Sequence, residues 1–287
     1  MNCNIYLLVK YIQMRLSDIP AYCITINKTK ANRAIISEKN IKKLGFESFA
    51  FSDGVIGKKI SESDLKQMLS PRAYIDVHGG PRYAYETMNT VAAVGCSLSH
   101  INLWKHCIDI NRTIAIFEDD VLELQSPESL QIMFTEAQKH KFDLLRLTYH
   151  PPQQEIEYID KHIIDGSKLT NTGGYIITPK CAKILYDNAF PIEMHIDQYI
   201  CYIAQGHKIK VYACYPKITI FDNDMFSSVI DHAQISLHPI FNYLMEAKEH
   251  FGSITLSSVH YFLISIIVIL VYIIYEYIRH SSLLHNN

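Results

Sequence analysis

Several signatures of common chemistries are missing from these 287 residues. There is no G-x-x-x-x-G-K-[ST] phosphate loop, no G-x-G-x-x-G turn and no H-E-x-x-H pair. The G-x-S-x-G elbow is absent, because Gly95-Cys96-Ser97 runs on into Leu98. The phosphatase pattern D-x-D-x-[TV] does not fit Asp119-Asp120-Val121-Leu122-Glu123, so nucleophilic hydrolysis loses ground. No charge of one sign dominates. Against 27 Lys and Arg stand 29 Asp and Glu, a formal charge of −2 that argues against a general nucleic-acid binder. The seven cysteines contain no C-x-x-C and are odd in number, which speaks against a disulfide framework or a structural zinc site. They read as small buried thiols in a reducing compartment. Tryptophan occurs once, at Trp104, and 11 Gly and 10 Pro are too few for a fibre or a disordered tract.

What is present is an ordinary globular composition, 48% hydrophobic and 20% charged, with one exception. Residues 257–277, SSVHYFLISIIVILVYIIYEY, carry no Lys or Arg and a single acidic residue, Glu276. A run of that length predicts a membrane-spanning helix, with Tyr261, Tyr272, Tyr275 and Tyr277 as interfacial rings. The alternative is a buried helix or two hydrophobic strands. The N-terminal apolar stretch 5–9 is short and lacks a basic leader, so no secretory signal is expected.

Between these ends, strand and helix patterns alternate. Residues 21–26, 46–51, 113–117, 142–147 and 174–178 read as strands. Residues 32–44, 61–69, 97–111, 128–140, 179–188 and 196–204 read as helices, and 76–81 as a loop. This order predicts an α/β fold with a mostly parallel central sheet, whose ligands sit beyond the carboxyl ends of the strands. The best central strand, TIAIF, runs directly into Glu118-Asp119-Asp120. Alternation along a strand would place Glu118 and Asp120 on one side and Asp119 on the other. Two carboxylates on one side are hard-oxygen donors for Mg²⁺ or Mn²⁺. An acidic turn that merely ends a strand and caps a helix explains the same residues.

Further motifs join the triplet in a fixed order. Gly95-Cys96 with Ser99-His100 and Leu103-Trp104 resembles the G-C-x-x-S-H-x-x-L-W segment of glycosyltransferase family 25. Downstream, IFEDDVL, Arg146-Leu147, Thr172-Gly173-Gly174-Tyr175 and Ile196-Asp197-Gln198 are similar to that family's later motifs. Ile24-Thr25-Ile26, Arg33 and Asp53-Gly54 resemble its opening. The likeness covers about residues 20–215. Departures are Asn27-Lys28 after the first strand, Asn171 where glycine is common, and the apolar C-terminal segment.

The resemblance implies a GT-A-like nucleotide-sugar-binding fold and an inverting transfer of a hexose, galactose first, from a UDP-sugar to a lipooligosaccharide or other surface glycan. It implies Mn²⁺ or Mg²⁺ on Glu118 and Asp120, and Asp119 near the ribose or the sugar. Asp197 is then the general base, or a charge at a helix N-terminus. Arg33 contacts the donor or pairs with a carboxylate, and Asp53 accepts from uridine or forms a turn. Ser99 and His100 line the pocket, or His100 is a core histidine. Arg146 balances the acidic cluster. Thr172, Gly173 and Gly174 let the backbone approach the sugar, or simply form a turn. A third metal ligand falls among His195, His207 and His232. The expected organisation is an extension over 1–19, a catalytic domain over 20–250 and a transmembrane helix over 257–278. That places the protein at a membrane, with the catalytic domain on the cytoplasmic face of a bacterial inner membrane. The alternative is a catalytically silent, membrane-anchored nucleotide-sugar- or glycan-binding protein of the same fold.

Overall fold

Alternating apolar residues on the strands need cover on both faces, and helices supply it. The computed structural model describes residues 14–26, 31–79, 88–123, 125–150, 155–207 and 209–221. All belong to a unit spanning Met1–Ile235; a second unit, Ser236–Asn287, lies outside the described residues. The strands are β1 (Ala21–Thr25), β2 (Phe49–Asp53), β3 (Ile114–Glu118), β4 (Val121–Glu123), β5 (Leu144–Arg146), β6 (Tyr158–Asp160), β7 (Ile163–Asp165), β8 (Gly174–Ile177), β9 (Val211–Cys214) and β10 (Thr219–Phe221). The helices are α1 (Ala31–Lys43), α2 (Glu62–Met68), α3 (Pro71–Val77), α4 (Val91–Ile110), α5 (Pro127–Lys139), α6 (Pro179–Asp187) and α7 (Ile196–His207).

Among the described residues, eight strands form one sheet in the order β2-β1-β3-β8-β5-β9-β7-β6, and β4 pairs with β10 in a separate ribbon. The sheet is mixed, not mostly parallel as the alternation of elements predicts. β1 runs parallel to β2 and β3, and β5 runs parallel to β9. β8 inserts antiparallel between β3 and β5, and β7 runs antiparallel to β9 and β6. The missed strands β6, β7 and β9 are only three or four residues long, too short to show a period. The reversed β8 matters for the site. Its first residue, Gly174, lies opposite Phe117, so the chain leading into β8 arrives where β3 ends.

The period-2 pattern sorts the core into two layers. Ile114 and Ile116 of β3 join Tyr175 and Ile177 of β8 in a cluster with α4, α6 and α7. Ala115 and Phe117 face the opposite way, into a cluster with Leu130, Met133 and Phe134 of α5 and Ile41 of α1. Continuing the alternation, Glu118 shares the face of Ile116 and therefore meets α4. Trp104 of α4 is fully buried in that layer.

Most element ends follow from local chemistry. Ser126 and Thr178 cap α5 and α6 through their side chains, each followed by proline in the first turn. α4 starts at Val91, six residues before the predicted start, because Thr90 accepts from the Ala93 N–H and caps it there. Gly95 and Cys96 are thus helical. The predicted loop 76–81 begins two residues late, since α3 continues to Val77; Gly80 and Pro81 lie outside the described residues. Among the described residues, no helix is long and apolar enough to cross a membrane. The apolar segment 257–277 lies outside them.

The loop after β2 is pressed onto α4 by two glycines. A Cβ on Gly57 would lie 1.8 Å from the Val91 carbonyl oxygen, and one on Gly95 would lie 2.4 Å from that of Val55. Gly57→Ala should therefore destabilise the protein by about 3 kcal/mol, since backbone cannot yield as a side chain can. Gly206→Ala, at an exposed helical position with nothing within 4 Å, should stabilise by about 0.5 kcal/mol. Urea unfolding of the two variants checks both the signs and the contrast.

Candidate active site

Helix α1 presents a polar stripe to the acidic turn. Arg33, Ser37 and Asn40 are spaced four and three residues apart, so they share one helix face. Arg33 Nε and Ser37 Oγ donate to the Asp119 carbonyl at 3.1 and 2.8 Å, and Asn40 Nδ2 donates to that of Val121 at 3.1 Å. The Arg33 guanidinium also lies 2.7 Å from Asp119 Oδ1 and 3.1 Å from Asp120 Oδ2. β3 stops at Glu118, and Asp119-Asp120 form a turn. The strand alternation therefore ends there. Arg33 bridges Asp119 and Asp120, while Glu118 reaches toward α4 and stays within electrostatic reach of Asp120.

Glu118 is held from two sides. Thr172 Oγ1 donates to its Oε1 at 2.8 Å, and its own N–H donates to the Gly173 carbonyl at 3.0 Å. The His100 Nε2 atom, fully buried, lies 3.5 Å from the same Oε1 and has no hydrogen-bond partner. Behind it, His100 Nδ1 and Trp104 Nε1 both lie 2.9 Å from the Tyr175 hydroxyl. Indole can only donate, so the Tyr175 oxygen accepts from Trp104. Desolvation works to raise the Glu118 carboxyl, but the facing His100, then Thr172 and Arg33, outweigh it and leave it below the ordinary value. Asp120 goes the other way. Desolvation and the charge of Glu118 push it up to about 7 against the opposing pull of Arg33. Its Oδ1 is buried without a hydrogen-bond partner.

The segment before β8 closes the third side. Asn171 adopts a φ of +94°, the left-handed conformation that explains a glycine preference at this position. Its Oδ1 accepts from the Gly173 N–H at 2.7 Å, and its own N–H donates to Asp197 Oδ2 at 3.0 Å. Asp197 Oδ1 accepts from the Gln198 N–H at 2.8 Å. The Asp197 carboxylate thus ties the loop to the first turn of α7. Desolvation raises the Cys96 thiol well above its usual value, and Glu118, Asp197 and Asp120 add to it in that order. Cys96 therefore sits within electrostatic reach of all three carboxylates.

The structure brings together Arg33, Glu118, Asp119, Asp120, His100 and Thr172. Asp197 joins them through Asn171. Gly173 lies beside Asn171, while a Cβ on Gly174 would crowd the Phe117 ring at 3.1 Å, so that glycine lets β8 lie on β3. Arg146 is fully buried and donates to the Gly166 and Asn171 carbonyls at 3.2 and 2.8 Å. It braces the loop behind the site, and its remaining donor nitrogen lies 3.6 Å from the Cys201 sulfur. Ser99 donates to the Gly95 carbonyl and accepts from the Val55 N–H, at 2.7 and 2.8 Å, so its hydroxyl fastens the loop after β2 to α4. Asp53 ends β2 on the same sheet edge, paired in register with Thr25. His195 immediately precedes α7. His207 ends that helix, about 15 Å along its axis from Asp197. His232 lies outside the described residues.

Ser37 and Asn40 belong to this neighbourhood and lie outside the motifs, while Cys96 and Tyr175 stand inside the motifs without an assigned role. The i, i+4, i+7 spacing of Arg33, Ser37 and Asn40 was the available signal for two of them.

The raised Asp120 makes a prediction about stability. Between about pH 4 and pH 7 the folded chain keeps a proton on this group that the unfolded chain releases. Its contribution to stability therefore falls as pH rises through that window. Asp120→Asn should flatten this dependence and exceed the wild type at pH 8 by about 1–3 kcal/mol in metal-free buffer. Urea unfolding at pH 5 and pH 8 measures it; an equal or less stable variant at pH 8 contradicts it.

Known proteins resemble this chain over part of its length. Residues 18–200 match the model of glycosyltransferase family 25 (LPS biosynthesis protein). A procollagen galactosyltransferase 1-A from Xenopus laevis is 26% identical over 175 residues, 56% of this chain and 27% of that protein. A procollagen lysyl hydroxylase and glycosyltransferase from Acanthamoeba polyphaga mimivirus is 35% identical over 104 residues, 33% of this chain and 12% of that protein. The matches thus span about a quarter or less of these curated relatives. Among solved structures, apo UDP-glucose pyrophosphorylase aligns at 14% identity with a TM-score of 0.39, over 68% of this chain and 90% of that one. With its ordered motifs on one sheet edge and most of its described residues inside the matched range, the chain belongs to glycosyltransferase family 25.

Proposed function

We propose that the chain transfers a hexose from a UDP-sugar, with inversion, to a hydroxyl of a lipooligosaccharide or another surface glycan. The observation that carries this reading is the acidic turn at the carboxyl end of β3, where Asp120 Oδ1 is buried without a hydrogen-bond partner. An orphaned carboxylate oxygen in a family 25 chain is a place for a cation. The donor set is hard oxygen from Glu118 and Asp120, which fits Mn²⁺ or Mg²⁺. When bound, such an ion supplies positive charge against the departing diphosphate.

The chain's own residues do the rest. Arg33 fixes the turn and offsets the charge of Asp119 and Asp120, so the cluster tolerates its own repulsion. Thr172 orients the Glu118 carboxylate. Asp119, held against Arg33, serves the ribose or the sugar, and Asp53 serves the uridine. Asp197 takes the proton of the acceptor hydroxyl, a role that needs hydrogen-bond reach to that oxygen; each of its oxygens still has a lone pair beyond its backbone bond. Galactose is the first donor to test, supported by the galactosyltransferase name of the Xenopus relative. A surface-glycan acceptor is supported by the family description. An anchor at 257–277 would keep enzyme and lipid-linked acceptor on one surface, which this reading places on the cytoplasmic face of a bacterial inner membrane.

One observation favours a second reading. Arg33 already neutralises two carboxylates of the turn, as it would in a silent nucleotide-sugar- or glycan-binding protein that kept the fold. A screen of UDP-hexoses with Mn²⁺ separates the two. The transferase reading expects metal-dependent release of UDP, lowered about 100-fold or more in the double variant Glu118→Gln, Asp120→Asn. Undiminished release in that variant contradicts the metal assignment, and binding of UDP-sugar without any turnover selects the silent protein.

A further inference from the structure

Cys96 and His100 stand four residues apart on α4, so both side chains leave the same helix face. That face meets the end of β3. Cys96 Sγ, a His100 ring nitrogen and a Glu118 carboxylate oxygen all lie within 4.8 Å of one another. The proposed function uses Glu118 alone of the three as a metal ligand. Two features point to an ion among them rather than to packing. His100 Nε2 is completely buried, aims at Glu118 and has no hydrogen-bond partner. Its 3.5 Å separation from Glu118 Oε1 is long for a hydrogen bond. It suits two ligands of one tetrahedral ion, whose bonds of about 2.0–2.3 Å set neighbouring donors roughly 3.5 Å apart.

We infer that Cys96, His100 and Glu118 form a binding site for a thiophilic divalent cation of the Zn²⁺ class, with a fourth position open to water. Thiolate, imidazole and carboxylate in a three-ligand set suit that ion and disfavour Mg²⁺ and Mn²⁺. The second layer is already built. Tyr175 keeps one lone pair beyond its bond to Trp104, and it accepts a hydrogen bond from the His100 Nδ1–H when Nε2 ligates. Binding displaces the Cys96 thiol proton to solvent, one proton per ion. Glu118 is 29% exposed, which leaves a way in. The usual zinc spacings miss the site because it uses a single cysteine and gathers its third ligand from another element.

The test needs neither UDP-sugar nor acceptor, so it is independent of the transferase reading. Titrating the full-length protein with Co²⁺ should give one equivalent with a thiolate-to-cobalt charge-transfer band in the near ultraviolet. Cys96→Ser should abolish the band and weaken Zn²⁺ binding about 100-fold. Zinc-edge X-ray absorption on the wild-type protein supplies a reading free of any variant: one sulfur among nitrogen and oxygen ligands. A band that survives in Cys96→Ser, or zinc held by nitrogen and oxygen alone, overturns the proposal.

Discussion

Three consecutive carboxylates at the end of a buried strand repel one another, and everything near the site is arranged around that repulsion. A single guanidinium, Arg33, lies against two of them, and its neighbours Ser37 and Asn40 hold the backbone carbonyls of the same turn. The third, Glu118, is drawn away toward α4 and Thr172. The result is a split in acidity: Glu118 is lowered while Asp120 is pushed up to about 7. A cluster balanced in this way folds while leaving Asp120 Oδ1 buried without a hydrogen-bond partner.

The reversed strand β8 makes the arrangement possible. Had the sheet been all parallel, the Thr172–Gly173 backbone would have entered its strand at the opposite edge. Running antiparallel between β3 and β5, β8 delivers that segment beside Glu118. Asn171 then connects the loop to Asp197 on α7, and Arg146 braces it from beneath with hydrogen bonds to two carbonyls. Two distant stretches of chain, each unremarkable alone, are thereby joined to one sheet edge.

Much of this was legible in the amino-acid order. β1, β3, β8, α1, α5 and α6 fall within a few residues of where apolar period, caps and prolines put them. Family membership was legible as well, from the order of the motifs around Cys96, Glu118 and Thr172. Strand direction was not, because an element's own residues do not say which way its neighbour runs; that is how a mixed sheet came to read as parallel. The pairing of Asp119 with Asp120 through Arg33 was also hidden. Alternation predicts the side of a residue only while the strand lasts, and β3 ends at Glu118. The buried relay from Trp104 through Tyr175 to His100 spans about seventy residues of sequence, beyond the reach of any local pattern.

The account turns on whether the Asp120 oxygen left without a partner meets a cation that also holds a diphosphate. Anomalous scattering from a crystal grown with Mn²⁺ and UDP addresses that directly. A manganese peak touching Glu118 and Asp120 and the UDP phosphates is the expected result. Phosphates bound elsewhere, with no manganese at Glu118 and Asp120, would contradict it.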